Sequence, residues 1–366
     1  MKPRKTVARD YIMAALVLFV AIGLLTRSGE VSKGIAAGLE TCAGVLIPAL
    51  FPFMALSGLL SATSAARVLS MPLKPVTTKI FKLPEEFGSV ILLSLIGGYP
   101  VGAKNVSQLV QGGKISTKTA ERMMCFCMNP GPSFLITAVG VKMLNDKTAG
   151  LILFLTQTAA TIIIGIAVSY RKKAEQSRIE TGHGTKEMRG AEAFVEAVTN
   201  ASSAMLAMCA FAVIFSGILP LAESSGAVSF LKSVLPFKTS AVNAAVSGFF
   251  EVTSGCMSAT GSESVPFGLL SAIVSFGGLS VLFQMMSCFH GTGVSLKPLI
   301  ISRVFHALLA AVMAAPLYRI FCESKAVFSQ PIRPVPHTDA RSFFIAASLL
   351  CMCAILTVSM RERGKC

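Results

Sequence analysis

Apolar runs of near-membrane length recur along the chain, and several are broken in the middle by glycine or proline. The first, Tyr11–Leu25, follows a basic segment with Lys2, Arg4, Lys5 and Arg9. No A-x-A cleavage site follows it, so it reads as an uncleaved first span with a cytoplasmic N-terminus rather than a signal peptide. The second runs from about Gly34 to Leu60 and contains Pro48 and Pro52, which predict either a kinked helix or a helix end. Ala65–Leu83 is short, basic and proline-punctuated, an interfacial amphipathic connector. After Arg171–Gly190, which is charged and poor in apolar residues, a second set of runs begins. These are Ala191–Leu221, Val242–Glu263, Pro266–Cys288, Pro298–Phe321 and Ser342–Met360.

The interruptions are the informative part. Pro84–Gln111 is broken by Gly97-Gly98-Tyr99-Pro100 with Gly102, and Glu121–Leu144 by Asn129-Pro130-Gly131-Pro132. Thr148–Tyr170 then runs unbroken. In the second half Val242–Glu263 is broken at Glu251–Gly255 and Pro266–Cys288 at Gly277-Gly278. Glycine and proline in an apolar helix leave backbone groups unpaired. At membrane depth such backbone survives only when packed in protein or lining a polar cavity. Paired interruptions of this kind point to a transporter binding site.

The halves read as a repeat. Ser57-Gly58-Leu59-Leu60 matches Ser216-Gly217-Ile218-Leu219, and Ser94 and Gly102 match Ser247 and Gly255 with the same spacing. Gly131-Pro132-Ser133 falls where Gly277-Gly278-Leu279-Ser280 lies. Each half runs span, broken hairpin, broken span, span. If both broken hairpins are re-entrant, most of the 33 Lys and Arg fall on the cytoplasmic side, the direction the positive-inside rule requires. The first hairpin then enters from the cytoplasm and the second from outside. The expected fold is an all-α polytopic membrane protein with about eight transmembrane helices plus two re-entrant hairpins in inverted repeats. Its parts are an anchor helix (1–33), a first repeat (34–170), a cytoplasmic linker (171–190), a second repeat (191–321), and a C-terminal loop, helix and basic tail (322–366), with both termini cytoplasmic.

Composition agrees. Of 366 residues, 53% are hydrophobic and only 14% charged, against the ~25% usual in soluble domains; mean hydropathy is +0.69. The lipid bilayer is therefore the first partner. The net charge of +15 sits in short loops and at the ends, with no basic–aromatic stripe, so no nucleic acid is expected. The ten cysteines lie mostly in apolar runs, and Cys125-Phe126-Cys127 lacks zinc spacing, so no metal or other cofactor is expected beyond a coupling ion, sodium or proton. No Walker loop, H-E-x-x-H or G-x-S-x-G sequence is present, which argues against an enzyme.

Glu251 is the most informative single residue, an acid inside an apolar segment beside Thr253 and Ser254. A charge at mid-membrane is costly and is a functional hypothesis by default. Lys104 and Asn105 follow the first break; with the amides freed around Gly97, Gly98, Tyr99, Pro100 and Gly102 they suit an anionic group. Snorkelling of Lys104 to the interface is the alternative. Asn129 and Ser133 flank the first broken span, and Ser275, Gly277, Gly278, Ser280 and Gln284 line the second. His290 and His306 stand alone near span ends, where interface or packing roles suit them.

The run P-E-E-F-G…G-G-Y-P-V-G-A-K (Pro84–Lys104), Glu121-Arg122, the Asn129-Pro130 region, E-V-T-S-G (Glu251–Gly255) and S-F-G-G-L (Ser275–Leu279) resembles the sporulation integral membrane protein YlbJ family. The pattern also resembles the wider nucleoside-recognition (gate) domain group, over about residues 34 to 321. More distantly it is similar to concentrative nucleoside transporters. That resemblance implies inverted repeats, hairpin tips on the substrate, cation-driven alternating access and a homo-oligomer. Their first hairpin carries a polar G-Q-T-E-type tip, where this chain has Gly97-Gly98-Tyr99-Pro100, and the acid here is in the second hairpin. The YlbJ resemblance implies movement of dipicolinate, a small aromatic dicarboxylate, at the outer forespore membrane. Lys104 and the hairpin amides fit that anion better than a ribose. A nucleoside carrier, and a gate-domain component needed for sporulation without transport, remain the alternatives.

Single cysteines placed at residues 97–102 and 251–255 are expected to react with a water-soluble thiol reagent in membranes; protection of both stretches would mean continuous lipid-facing helices.

Overall fold

Every regular element among the described residues is helical. The computed structural model describes residues 4–63, 65–170, 190–224, 226–234, 237–262 and 264–322; nearly all of the expected linker and the apolar run 342–360 lie outside these. In chain order, α1 (Arg4–Thr26) leads to α2 (Ser28–Thr41), which continues through a π-turn at Cys42–Leu46 into α3 (Ile47–Ala62). Pro48 lies in the first turn of α3, where a missing N–H costs little, and the wider π-turn precedes it. The helix continues there without ending. The connector holds α4 (Ala65–Ser70) and short turns up to Ile80, and its Phe81 is buried, stacked on Phe126 at 4.4 Å.

The first hairpin is α5 (Gly88–Gln111), whose only non-helical residue is Gly98, at φ 77° and ψ −165°. That region is open essentially to glycine alone. A Cβ built on Gly102 would lie 3.3 Å from the Ser94 Cβ, although eight helical residues span about 12 Å along a straight axis. The two arms therefore fold back side by side. The expected break, Gly97–Gly102, is corrected to one residue: a single reversed dihedral turns the chain, and Pro100 then sits in the first turn of the second arm.

Next come α6 (Thr117–Cys127), the irregular Met128–Pro132, a π-helix (Ser133–Met143) and α7 (Lys147–Ser169). Ser116 accepts the Thr119 N–H to start α6, and Asp146 accepts those of Thr148 and Ala149 to start α7. The second half holds α8 (Gly190–Ser224), α9 (Ala227–Val234), α10 (Thr239–Phe250), α11 (Val252–Thr260), α12 (Phe267–Phe276), α13 (Gly278–Cys288) and α14 (Lys297–Phe321). α10 and α11 form the second hairpin about Glu251, the one extended residue (φ −144°, ψ 123°), with Gly255 packed on Gly248. Thr253, Ser254 and Gly255 are already helical, so the expected break at Glu251–Gly255 also shrinks to one residue. The second broken span turns at Gly277 and Gly278, both at positive φ.

The two long scaffold helices run antiparallel. Gly34 lies against Ser216 and Pro220 of α8, whereas Gly58 lies against Ala197, near the other end of α8. Matched residues do matched jobs: Ser57 sits against Gly97 of the first hairpin, and Ser216 Oγ is 3.3 Å from Ser254 Oγ of the second.

Six helical stretches among the described residues are long and apolar enough to cross a bilayer: Ser28–Leu60, Glu85–Gln111, Lys147–Ser169, Ala191–Ser224, Phe267–Cys288 and Lys297–Phe321. Of these, Glu85–Gln111 contains the fold-back at Gly98. The side chains are arranged inside out relative to a soluble protein. α14 buries Ser302, Arg303 and His306 while exposing Val304, Phe305, Leu308 and Val312. α7 buries Thr156, Gln157 and Thr161 while exposing Leu151, Leu155 and Ile163. Polar groups inside and aliphatic groups outside is the arrangement that lipid demands. The chain is an integral membrane protein.

Gly102→Ala would drive a methyl into the Cys127 carbonyl, and is expected to cost about 1–3 kcal/mol of overpacking strain. Gly44→Ala, which meets nothing within 4 Å, should be neutral or stabilising. Thermal unfolding of the two variants in detergent checks the contrast.

Candidate functional site

Each hairpin tip seats on the break of the following span. A Cβ on Gly98 would lie 3.0 Å from the Gly131 nitrogen, and one on Gly131 would lie 3.1 Å from the Ile96 oxygen. In the second half a Cβ on Gly278 would meet the Gly248 oxygen at 2.7 Å and the Val252 nitrogen at 3.2 Å. Backbone meets backbone at both seats, which a side chain would prevent. Tyr99 ties the halves together: its hydroxyl donates to the carbonyls of Val274 (2.8 Å) and Ser275 (3.0 Å), and its ring lies beside Gly277.

Between these contacts lies a cavity of about 50 Å³. Its polar lining comes from Tyr99, Ser133, Glu251, Thr253 and Gln284, together with the backbone of Gly97, Gly98, Pro130 and Gly131. Pro100 and Val281 also touch it, while Leu46, Leu50 and Met54, on the π-turn and α3, and Met208 and Ala212 of α8 supply an apolar wall. π-turns recur at functional sites, and this one places Leu46 on the cavity.

Glu251 is 3% exposed and is the one carboxyl on the cavity among the described residues. It caps α11, its Oε1 accepting from the Thr253 N–H at 2.9 Å and its Oε2 from the Ser254 N–H at 2.6 Å. Among the described residues no cation pairs with it. The capping amides and the helix N-terminus are what hold a carboxylate there. The Thr253 hydroxyl is buried and finds no hydrogen-bond partner among the described residues, so the cavity has a donor to spare.

The structure divides the sequence candidates into groups. Gly97, Gly98, Tyr99, Pro100, Ser133, Glu251, Thr253 and Gln284 line the cavity. Gly102 is the crossing point of the hairpin arms, Gly277 and Gly278 form the second seat, and Ser254 sits behind Glu251. Ser280 is buried with its hydroxyl unpartnered among the described residues. Asn129 and Ser275 belong to a polar layer beside the cavity. Lys104 is exposed and does not line the cavity, and Asn105 beside it is half-buried.

That polar layer contains groups the sequence reading passed over. Ser275 donates to Gln157 Oε1 at 2.8 Å, and Gln157 donates to the Ser271 carbonyl at 3.1 Å. Thr161 lies 2.9 Å from Asn129 Oδ1 and 3.1 Å from His306 Nε2. His306 is fully buried well inside α14, not at a span end. Arg303, one turn away, is also fully buried and donates to the Cys125 carbonyl at 3.1 Å. The signal for Arg303 was present: a lone arginine early in an otherwise apolar run.

Over 336 residues the chain is 27% identical to the sporulation integral membrane protein YlbJ of Bacillus subtilis (strain 168). The overlap covers 84% of this chain and 82% of that protein. No family model and no solved structure matches the sequence.

Glu251→Ala leaves two buried amides unpaired and is expected to destabilise by about 1–3 kcal/mol for each. Glu251→Gln keeps an acceptor and should lose no more than about half of that. Unfolding midpoints in detergent, compared at equal protein recovery, check the order.

Proposed function

On the premise of YlbJ-family membership, which that likeness supports, we propose that the chain is a sporulation-associated secondary transporter of a small anionic metabolite, dipicolinate. It works by alternating access between two re-entrant hairpins, the arrangement of inverted-repeat carriers. One observation carries this reading: two hairpin tips, the first helix break and the start of α13 converge on one cavity, whose described lining holds the Glu251 carboxyl.

The α11 amides of Thr253 and Ser254 are the anion site, and Glu251 occupies it when substrate is absent. A substrate carboxylate and the Glu251 carboxylate repel each other in so small a space. The substrate therefore enters as Glu251 takes up a proton and swings off the amides, so that a dianion adds one negative charge to the cavity instead of two. The proton then travels with the substrate as the coupling ion. The Thr253 hydroxyl and Gln284 supply further hydrogen bonds to the second carboxylate or the ring nitrogen.

A cavity of about 50 Å³ has room for a few waters and not for an aromatic dicarboxylate. The arrangement seen is thus too narrow for the substrate. Opening requires one hairpin to leave its seat, Gly98 from Gly131 toward one side or Glu251 from Gly278 toward the other. The glycine-on-backbone seats suit this, since they part without dragging side chains through the core.

A second reading has a specific ground. The cavity lining holds one acid and no base, which suits a neutral nucleoside whose hydroxyls donate to Glu251.

Proteoliposomes given labelled dipicolinate or nucleosides, under imposed proton or sodium gradients, separate the readings. Dipicolinate uptake driven by protons is expected. Glu251→Gln should keep dipicolinate exchange but lose proton-driven accumulation, and Lys104→Ala should leave flux unchanged. Nucleoside uptake without dipicolinate uptake would replace the substrate, and absence of both fluxes would overturn transport.

A further inference from the structure

Arg303 presents a physical puzzle. It lies inside α14 with no exposed surface, and an arginine side chain stays protonated in proteins. A permanent charge at this depth is costly unless something compensates it. Among the described residues no carboxylate pairs with it. Nη2 donates to the Cys125 carbonyl at 3.1 Å, while Nε and Nη1 find no hydrogen-bond partner among the described residues. A guanidinium kept for its hydrogen bonds would use more of them.

The compensation comes from the helix ends around it. Cys125 lies in the last turn of α6, which ends at Cys127. Val274 and Ser275 lie in the last turn of α12, which ends at Phe276, and their carbonyls accept from the Tyr99 hydroxyl. That hydroxyl in turn faces the guanidinium. α6 and α12 are the first halves of the two broken spans; the negative end of α6 meets the guanidinium directly, and that of α12 reaches it through the Tyr99 hydroxyl. In carriers built of inverted repeats, half-helix C-terminal ends and unwound carbonyls are where coupling sodium ions bind.

We propose that the Arg303 guanidinium is a tethered cation standing where the two half-helix C-termini would otherwise bind a coupling sodium ion. The site is permanently filled by the chain itself, and substrate movement needs no sodium. Tyr99 is the partition, with the Glu251 cavity on one side and the fixed positive charge on the other. Arg303 stays on the C-terminus of α6, and the α12 end joins it through Tyr99 while the first hairpin is seated, which leaves Glu251 as the carrier of the coupling proton. The sodium-independence rests on the transport reading above; the tethered-cation role does not.

The test uses the full chain purified in detergent and in proteoliposomes. Wild-type protein should unfold at the same temperature in sodium, potassium and choline chloride of equal ionic strength, and its flux should not depend on sodium. Arg303→Ala empties the site: it should unfold at a lower temperature, and millimolar guanidinium or sodium should restore part of the loss, with choline inert and wild type unresponsive. If Arg303→Ala yields too little protein, Arg303→Lys against Arg303→Met decides, since the lysine variant keeps the charge. The lysine variant is expected to be recovered in greater amount and to unfold higher. Equal behaviour of the two, or failure of every small cation to stabilise the alanine variant, would overturn the tethered cation. Sodium-dependent flux in wild type would overturn sodium-independence while leaving transport standing. Absence of any wild-type flux would remove the transport reading, and the unfolding arms would still judge Arg303.

Discussion

In a membrane, a helix that breaks must find partners for its backbone within the protein. This chain breaks four helices and satisfies them against one another. The first hairpin turns at Gly98 and rests on Gly131, and the second turns at Glu251 and rests on Gly278. These seats are backbone on backbone. The antiparallel scaffold of α2–α3 and α8 backs both tips with a serine, Ser57 on one side and Ser216 on the other. The Tyr99 hydroxyl then bonds the first tip to the last turn of α12, so the two halves close on one cavity.

The electrostatics follow the same plan. Helix breaks expose N-terminal amides and C-terminal carbonyls, which act as small fixed charges. The amides of α11 hold the Glu251 carboxylate on the cavity. The carbonyl end of α6 meets Arg303, and that of α12 accepts from the Tyr99 hydroxyl. The two buried charges thus answer opposite ends of broken helices rather than each other. A neutral layer of Gln157, Thr161, Asn129, Ser275 and His306 packs beside them, bonded side chain to side chain and to helix carbonyls.

The halves are alike in construction and unlike in chemistry. Gly102 and Gly255 are both crossing points of hairpin arms, yet one tip is a bare glycine and the other is an acid. A neutral tip that leaves its seat carries nothing with it. An acidic tip carries a group that can exchange a proton, which under the proposed transport cycle gives the second hairpin the coupling role.

Much of this was legible in the residues. Glycine and proline in the middle of apolar runs located three of the four breaks described, because such residues disrupt a helix wherever it is put, and an acid in an apolar segment marked the fourth, at Glu251. Of the residues matched between the halves, Ser57 and Ser216 each sit against a hairpin, and Gly102 and Gly255 each sit where hairpin arms meet. What the residues did not reveal was which way the polar groups of unbroken helices face. In a soluble helix the polar face is the outer one, and periodicity reports it; in a membrane helix lipid and interior are both apolar, so the pattern is silent on orientation. Only tertiary packing turned Arg303, His306, Gln157 and Thr161 inward and left Lys104 outside, since rotation about a helix axis is fixed by neighbours that lie more than a hundred residues away in the chain.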